Sequence, residues 1–333
     1  MKNDKSFKSI FKTEFEEILK MKHEQGYKYI TQEGDLHMLD NYIHSLGMNE
    51  KVLTRDICEN WCRKRQNESQ GTRRKRVTAI RELVKCLSRK GIHTDSMAGI
   101  KVKKSPKYQA YIYSDEELYE FFKAADAYKA DSKATRAVKY YPLFFRILYT
   151  SGLRLSELIN LKIKDFNISE SFIIVRNGKN NKDRLVPMNP DLTKRCIDMI
   201  KDDGFHVSSD GDDYLFKSSE VDPLSGKSLY GIFRQYLKVA GIRHLGKGHG
   251  PRIHDFRSTY AVNILRKWVT EGKDLLNCLP YLQTMMGHKT FIETAYYLKL
   301  TSQMFPTLML KLEEEYPNLI IKDVISEDEE EFY

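Results

Sequence analysis

Residues 99–113 interrupt the helical periodicity of the chain and constrain its fold more than any other stretch. The segment is basic, contains Pro106 and shows no apolar repeat at helical spacing. It ends at Ser114, and Ser114 with Glu117 three residues later is typical of a capping box, in which two side chains cap the first turn of a helix. We interpret residues 99–113 as an extended linker, which predicts a domain boundary between residues 106 and 107. A chain of 333 residues is long enough for two domains.

Four stretches ahead of the linker carry apolar residues at helical spacing. They fall within residues 8–30, from Leu36 to Leu46, after Thr54, and from Thr72 to Arg89. Thr54 is the predicted N-cap of the third helix, because its hydroxyl can accept a hydrogen bond from the first turn. The sequence therefore predicts a helical domain over residues 1–106.

The fourth of these helices is strongly basic. Between Arg63 and Lys104 there are fourteen Lys or Arg residues and three Asp or Glu residues. An amphipathic helix with one apolar face can pack on its own domain and turn its basic face to phosphates. An ordinary solvated surface is the alternative. The residues expected to contact DNA are Arg73, Arg74, Lys75, Arg76, Arg81 and Lys85.

The second unit is predicted to be mainly helical with a small β-sheet. Two β-rich runs, 172–176 and 184–187, flank an Asn-Gly turn signal and predict a hairpin. Helices are expected at 141–150, 156–163, 191–202 and 227–240, and a glycine-rich loop precedes a helix that carries His254. The predicted organisation is an α+β domain over residues 107–312, followed by an acidic tail at 313–333.

The charge of the chain is unevenly distributed. The net charge is +9, and the last 21 residues contribute −8 through nine acidic and one basic side chain, so residues 1–312 carry +17. A strongly basic body favours a polyanionic partner, because neutralised phosphates release their counterions. Charge alone does not separate DNA from RNA, or either from a solvated basic surface.

Cysteines and hydropathy exclude several classes. The five cysteines show no paired metal spacing, which indicates reduced cytosolic thiols and argues against a secreted disulfide framework. No apolar run reaches membrane-spanning length, and the N-terminus lacks a signal-peptide core. We therefore expect a cytoplasmic protein without a membrane partner.

Six side chains in the second unit suit attack on a phosphodiester. Cleavage without a metal needs a nucleophile, positive charge around the phosphorus and an acid for the leaving oxygen, and an arginine fork binds two phosphate oxygens. Two histidines could instead form a metal pair, but an arginine-rich cluster repels cations, so no metal is expected. The candidate residues are Arg154, Lys179, His254, Arg257, His288 and Tyr297.

These residues, in this order, resemble the tyrosine recombinase (phage integrase) family over about residues 114–300. The resemblance makes Tyr297, nine residues after His288, the nucleophile, although chemistry alone leaves the adjacent Tyr296 open. It makes Lys179 the acid for the 5′ leaving oxygen, with Lys182 as the alternative, and it lets Glu157 steady Arg154. The histidines donate hydrogen bonds to phosphoryl oxygens or handle the tyrosine proton. Ser258 and Met286 depart from the residues common in the family.

The resemblance also implies domain roles, an activity and an assembly. Residues 1–106 are expected to be the family's helical core-type DNA-binding domain, and residues 107–312 the catalytic domain. The expected enzyme is a site-specific recombinase that cleaves DNA through a 3′-phosphotyrosyl link, needs no cofactor and acts as a homotetramer on two duplexes. Accessory DNA-bending or directionality factors are possible partners. The apolar segment 302–312 is expected to dock on a neighbouring protomer, and packing on its own catalytic domain is the alternative. The rival functions are a monomeric type IB topoisomerase, a non-catalytic DNA-binding protein and an RNA-binding basic protein.

Overall fold

The computed structural model describes residues 6–92, 94, 97, 99–103, 108–128, 140–176, 178, 183–202, 211–219, 221–246 and 250–304, with the side chains of residue 202 and of 302–304 not described. The chain divides into two compact units, Met1–Lys107 and Tyr108–Tyr333. The division lies one residue from the boundary expected between 106 and 107. The assignment of the first unit as a DNA-binding domain stays a prediction, and the acidic tail at 313–333 lies outside the described residues.

The described part of the first unit contains four helices: α1 (Lys12–Glu24), α2 (Ile30–Ser45), α3 (Arg55–Cys62) and α4 (Gln70–Arg89). Helix α4 contacts each of the other three, and their apolar faces bury Phe15, Leu39, Trp61 and Ile80 around it. Thr54 caps α3 as predicted, since its hydroxyl accepts from the Ile57 N–H. Helix α4 begins two residues before the expected Thr72, because Ser69 caps it by accepting the Thr72 N–H at 3.0 Å.

The second unit is mainly helical with one small sheet, as the sequence predicts. Its helices are α5 (Asp115–Ala127), α6 (Tyr141–Ser151), α7 (Leu155–Ile159), α8 (Pro190–Asp202), α9 (Gly226–Val239), α10 (Asp255–Thr270), α11 (Leu275–Met286) and α12 (Phe291–Met304). A 3-10 helix (Ile163–Asp165) precedes strands β1 (Phe166–Asn167), β2 (Phe172–Val175) and β3 (Arg184–Pro187). The strands are antiparallel in the order β1-β2-β3, and Val175 pairs with Arg184 at the base of the predicted hairpin.

Helix α10 joins the two apolar cores of this unit. Phe256, in its first turn, packs in an aromatic core with Phe121, Phe145 and Phe233. From Tyr260 onward, α10 packs in the second core with residues of α11 and α12. The start of α10 is therefore held from both sides, which fixes the backbone that carries the site.

The segment before α5 is extended and fastened to α10. Tyr111 and Tyr113 face the aromatic core while Ala110 and Ile112 face the second core, which is the alternation of an extended strand. The Tyr113 ring stacks on Phe256 with 5.0 Å between centroids. The predicted capping box then starts α5, because Glu117 N–H donates to the Ser114 hydroxyl and Ser114 N–H donates to the Glu117 carboxylate.

Candidate active site

Arg154 follows the turn that separates α6 from α7. Gly152 makes this turn with a φ of 61°, and a Cβ at that position would lie 2.5 Å from Cδ1 of Tyr260. The turn requires glycine because both the space and the backbone conformation exclude other residues. Arg154 becomes the N-cap residue of α7, where its backbone N–H donates to Oε2 of Glu157 at 2.8 Å.

The Arg154 side chain is held at two points. Nη1 donates to Oε1 of Glu157 at 2.9 Å, and Nη2 donates to the carbonyl oxygen of Gly287 at 3.1 Å. The side chain remains 21% exposed. A guanidinium has five N–H groups, so these two bonds use only part of its capacity to bind an anion.

Arg257 lies one turn into α10 and is almost fully buried, with 2% of its surface exposed. Nη1 donates to the carbonyl oxygen of Gly152, and Nη2 donates to that of Met286. Burial lowers the pKa of Arg257 to about 10, and the nearby charge of Arg154 acts in the same direction. The guanidinium is still protonated at neutral pH, so it supplies a fixed positive charge.

His254 is the N-cap residue of α10, one turn before Arg257. His254 is exposed when its whole surface is considered, but protein atoms surround its ring and remove part of the water that would stabilise the charged form. This partial burial, followed by the charges of Arg257 and Arg154, holds the pKa of His254 well below its usual range. At pH 7 the ring is therefore neutral, and one ring nitrogen can donate while the other accepts.

His288 lies between α11 and α12, immediately after the left-handed Gly287 that ends α11. Nε2 is 3.2 Å from Nη2 of Arg257, and Nδ1 is 2.9 Å from the Thr294 hydroxyl. An arginine can only donate, so Nε2 is the acceptor and the proton resides on Nδ1, which donates to Thr294. In this arrangement His288 is neutral, and its tautomer is set by its two neighbours.

Tyr297 is buried in α12, with 6% of its surface exposed. Its ring stacks on that of His288 with 5.7 Å between centroids and an angle of 11°. Its proximity to Arg257 acts to raise the pKa of that guanidinium. Tyr296 is half-buried and meets Tyr297 edge-on, at 5.6 Å. The structure thus brings Tyr297 together with His288 and Arg257, while its role as nucleophile stays a prediction.

Arg184 is the site residue that the sequence did not single out. Its Nη1 and Nη2 donate to the two carboxylate oxygens of Glu157 at 3.0 and 2.6 Å, and its Nε donates to the carbonyl oxygen of Met285 at 2.9 Å. Burial acts to raise the pKa of Glu157, but the Arg184 hydrogen bonds and the charges of Arg184 and Arg154 outweigh it and bring the pKa to about 2. One signal was available: in β3, Arg184 alternates onto the same buried face as Val186.

The C-terminal end of α11 binds all three guanidinium groups. The carbonyl oxygens of Met285, Met286 and Gly287 accept from Arg184, Arg257 and Arg154 respectively. Helix C-terminal carbonyls lack partners within the helix and carry partial negative charge, so they attract cations. The end of α11, directly before His288, therefore binds three arginines that are distant from one another in the sequence.

The remaining candidates divide into three groups. Lys179 and its alternative Lys182 lie outside the described residues. The strands on either side of their turn, β2 and β3, are described. Lys75, Arg81 and Lys85 are exposed on α4, while Arg73 and Arg74 are half-buried.

The expectation that Arg76 contacts phosphate is wrong. Arg76 is 1% exposed, its Nε and Nη2 bind the Glu68 carboxylate at 2.6 and 2.8 Å, and Nη1 and Nη2 bind the carbonyls of Trp61 and Arg63. The residue lies on the apolar stripe with Ile80, Leu83 and Leu87, which places it inside.

The described part of the chain has neither a cluster of metal ligands nor a membrane-spanning helix. No group of three or more His, Cys, Asp or Glu side chains there could hold a metal ion. No helix in that part is both long and apolar enough to cross a membrane.

Most of the second unit matches a known protein family. Residues 114–304, which contain Arg154, Arg257, His288 and Tyr297, match the phage integrase family. The chain belongs to the phage integrase family. It is 31% identical over 211 residues to a putative integrase/recombinase, y4rB, of Sinorhizobium fredii, a match that covers 62% of this chain and 66% of the relative. It is 31% identical over 164 residues to the tyrosine recombinase XerA of Pyrococcus horikoshii, covering 48% of this chain and 50% of the relative. The matches thus span about half to two thirds of these relatives' lengths.

Solved structures of a site-specific recombinase and of a transposon integrase share the fold. The XerH site-specific recombinase in a post-cleavage complex with palindromic difH substrate aligns with a TM-score of 0.59 and 19% identity, over 85% of this chain and 78% of that one. The Tn1549 transposon integrase in complex with transposon right end DNA aligns with a TM-score of 0.58 and 17% identity, over 88% and 99% of the two chains.

Proposed function

We propose that this phage integrase family member is a site-specific DNA recombinase that cleaves and rejoins strands through a 3′-phosphotyrosyl intermediate. The observation that carries the proposal is the convergence of Arg154 and Arg257 on the end of α11, next to the His288 ring that stacks on Tyr297. Related recombinases and integrases, some of them solved on DNA, support the same activity.

The chemistry follows from these positions. The Tyr297 oxygen attacks the scissile phosphorus, a phosphorus–oxygen bond forms, and the bond to the 5′ oxygen breaks. The phenolic proton passes to a neutral histidine of the site, and Lys179 protonates the departing 5′ oxygen. Arg154 and Arg257 balance the charge of the pentacoordinate phosphorane, which is the largest single source of catalysis in sites of this kind. The phosphotyrosyl ester conserves the energy of the broken phosphodiester bond. A 5′ hydroxyl of a second strand can therefore attack this ester and rejoin the DNA without a nucleotide cofactor.

Two strand exchanges need four such sites, so the proposed assembly is a homotetramer on two DNA duplexes. The proposed location is the cytoplasm of the cell that carries the recombined DNA element. The first unit holds DNA through α4. The apolar segment 302–312, which continues past the described end of α12, docks on the next protomer. Integration, excision and dimer resolution share this chemistry, and accessory DNA-bending factors are proposed partners.

A covalent-capture experiment tests the activity and finds the site. The full chain is incubated with a pool of nicked duplexes of random sequence, denatured in detergent and recovered with any DNA that remains attached. The proposal predicts enrichment of one sequence class in the attached DNA. DNA that washes away completely would support a non-catalytic DNA-binding protein. Relaxation of any supercoiled plasmid by monomeric protein would support a topoisomerase.

A further inference from the structure

A single buried carboxylate, that of Glu157, is shared by two guanidinium groups. Oε1 accepts from Nη1 of Arg154 at 2.9 Å and from Nη1 of Arg184 at 3.0 Å. Oε2 accepts from Nη2 of Arg184 at 2.6 Å and from the backbone N–H of Arg154 at 2.8 Å. Arg184 therefore forms the bidentate pair with Glu157, and the Arg154 side chain keeps one hydrogen bond to it.

Arg184 itself does not face solvent. Its side chain is 5% exposed, and a Cβ on Gly287 would lie 2.9 Å from its Nη1. Its third hydrogen bond goes to the Met285 carbonyl of α11. Arg184 thus connects β3, the first turn of α7 and the end of α11, and each of its three guanidinium nitrogens binds a protein acceptor.

The sharing has an electrostatic consequence. Two guanidinium groups and one carboxylate leave a net charge of +1, and the exposed member is Arg154, at 21%. If Arg184 were absent, Oε2 of Glu157 would keep only the Arg154 backbone N–H and could also accept from the Arg154 side chain, beside the bond at Oε1. A carboxylate and a guanidinium prefer a bidentate fork, so Arg154 would turn onto Glu157 and its charge would be cancelled.

We propose that Arg184 is a positioning residue, which occupies the Glu157 carboxylate and the Met285 carbonyl so that Arg154 stays un-neutralised and available to the scissile phosphate. This inference rests on the proposed function. It assigns no contact between Arg184 and the substrate. It explains how the site retains the positive charge of Arg154 with the Glu157 carboxylate directly beside it.

The test is a pair of variants measured on the duplex recovered by covalent capture. Arg184→Met should reduce the rate of adduct formation at saturating DNA by about 100-fold, the loss typical of one preorganised charge. The affinity for the duplex should change by less than about threefold, because Arg184 is buried. Adding Glu157→Gln to Arg184→Met removes the carboxylate that captures Arg154, so at least about tenfold of the rate should return.

A merely structural role predicts the opposite order. Removing a second buried partner would then leave the double variant no faster than the single one, and that result would overturn the proposal. A wild-type rate in Arg184→Met would overturn it as well. If Arg184→Met does not fold, Arg184→Lys replaces it, since an ammonium keeps the charge but lacks the planar fork with which Arg184 binds the Glu157 carboxylate and the Met285 carbonyl together. A smaller loss that Glu157→Gln partly restores is then expected, and no restoration contradicts the idea.

The first unit supplies a matched control. Arg76 is also a buried arginine with a bidentate bond to one glutamate, Glu68, and bonds to backbone carbonyls. At saturating DNA, where a change in affinity through α4 does not affect the rate, Arg76→Met should lower the melting temperature without a loss of cleavage rate at a temperature where it is folded. Glu68→Gln should not change that rate further. An equal loss of rate in Arg76→Met would attribute the Arg184 effect to general destabilisation and overturn the assignment.

A second readout separates this inference from the activity. Inorganic phosphate is titrated into the full chain, and the Arg154 guanidinium Nε–H resonance is followed by NMR. Phosphate should shift the resonance in wild type, not in Arg184→Met, and again in the double variant with Glu157→Gln. This pattern without any covalent adduct would uphold the inference and refute the proposed activity. An unchanged phosphate response in Arg184→Met would refute the inference alone.

Discussion

Nη2 of Arg257 lies 3.2 Å from Nε2 of His288, and this contact sets the protonation of the histidine. The guanidinium has only donors, so the histidine must accept on Nε2 and carry its proton on Nδ1. The Thr294 hydroxyl, 2.9 Å from Nδ1, completes the arrangement. A neutral ring with a fixed tautomer is thereby held against the Tyr297 ring.

Thr294→Val should slow adduct formation because it removes the hydroxyl that fixes the His288 tautomer. The expected loss is about tenfold, which corresponds to one hydrogen bond. Thr270→Val, which removes a hydroxyl that donates to the Arg266 carbonyl of its own helix, is the control and should leave the rate unchanged. Equal rates in all three proteins would show that Thr294 does not orient the ring.

Arg154→Ala and Arg257→Ala should each slow cleavage on the order of 1,000-fold, because each removes charge aimed at the transition state. Arg146 forms a bidentate pair with Asp126 in the same unit, so Arg146→Ala is the matched control and should leave the cleavage rate unchanged. Addition of EDTA should leave the wild-type rate unchanged. A rate that falls in EDTA and returns with Mg²⁺ would contradict the assignment of this charge to arginines.

Charge reversal at the exposed Lys75 and Lys85 of α4 should weaken binding to specific and non-specific duplexes by similar factors. Each lost phosphate contact should reduce the slope of log affinity against log salt by about 0.9. Lys12→Glu with Lys20→Glu on α1 provides a control of equal charge change at exposed positions. An unchanged affinity at low salt would mean that α4 presents only a solvated surface.

The carboxylate of Glu157 should stabilise the fold in a pH-dependent manner. Its pKa is about 2 in the folded protein, against a usual value of 4.5. The stability it contributes is therefore complete above 4.5 and is lost as the pH falls toward 2. The difference is on the order of 3 kcal/mol. The melting temperature of wild type should thus fall more steeply than that of Glu157→Gln between about pH 5 and pH 2.5. Parallel curves of melting temperature against pH for wild type and Glu157→Gln would contradict the shared ion pair. Glu170→Gln, at an exposed position, is the control and should follow the wild-type curve.

Local signals in the sequence anticipated the hairpin strands, the Thr54 cap, the Ser114 capping box and the mainly helical fold, because each depends on a few neighbouring residues. The buried arginines depend on distant partners. Arg184 meets Glu157 across 27 positions and Met285 across 101, and no local pattern encodes either pairing. Arg76 was missed for a different reason: the charge count of α4 grouped it with the surface residues, whereas its position on the apolar stripe of the helix places it inside.

The identity of the residue that becomes linked to DNA tests the central claim most directly. The duplex recovered by covalent capture is incubated with wild type, the adduct is digested, and the DNA-bearing peptide is sequenced by mass spectrometry. We expect the link on Tyr297, no adduct from Tyr297→Phe at a DNA affinity close to wild type, and normal adduct from Tyr296→Phe. A link on Tyr296, or an adduct that persists in Tyr297→Phe, would contradict the proposed nucleophile and the mechanism built on it.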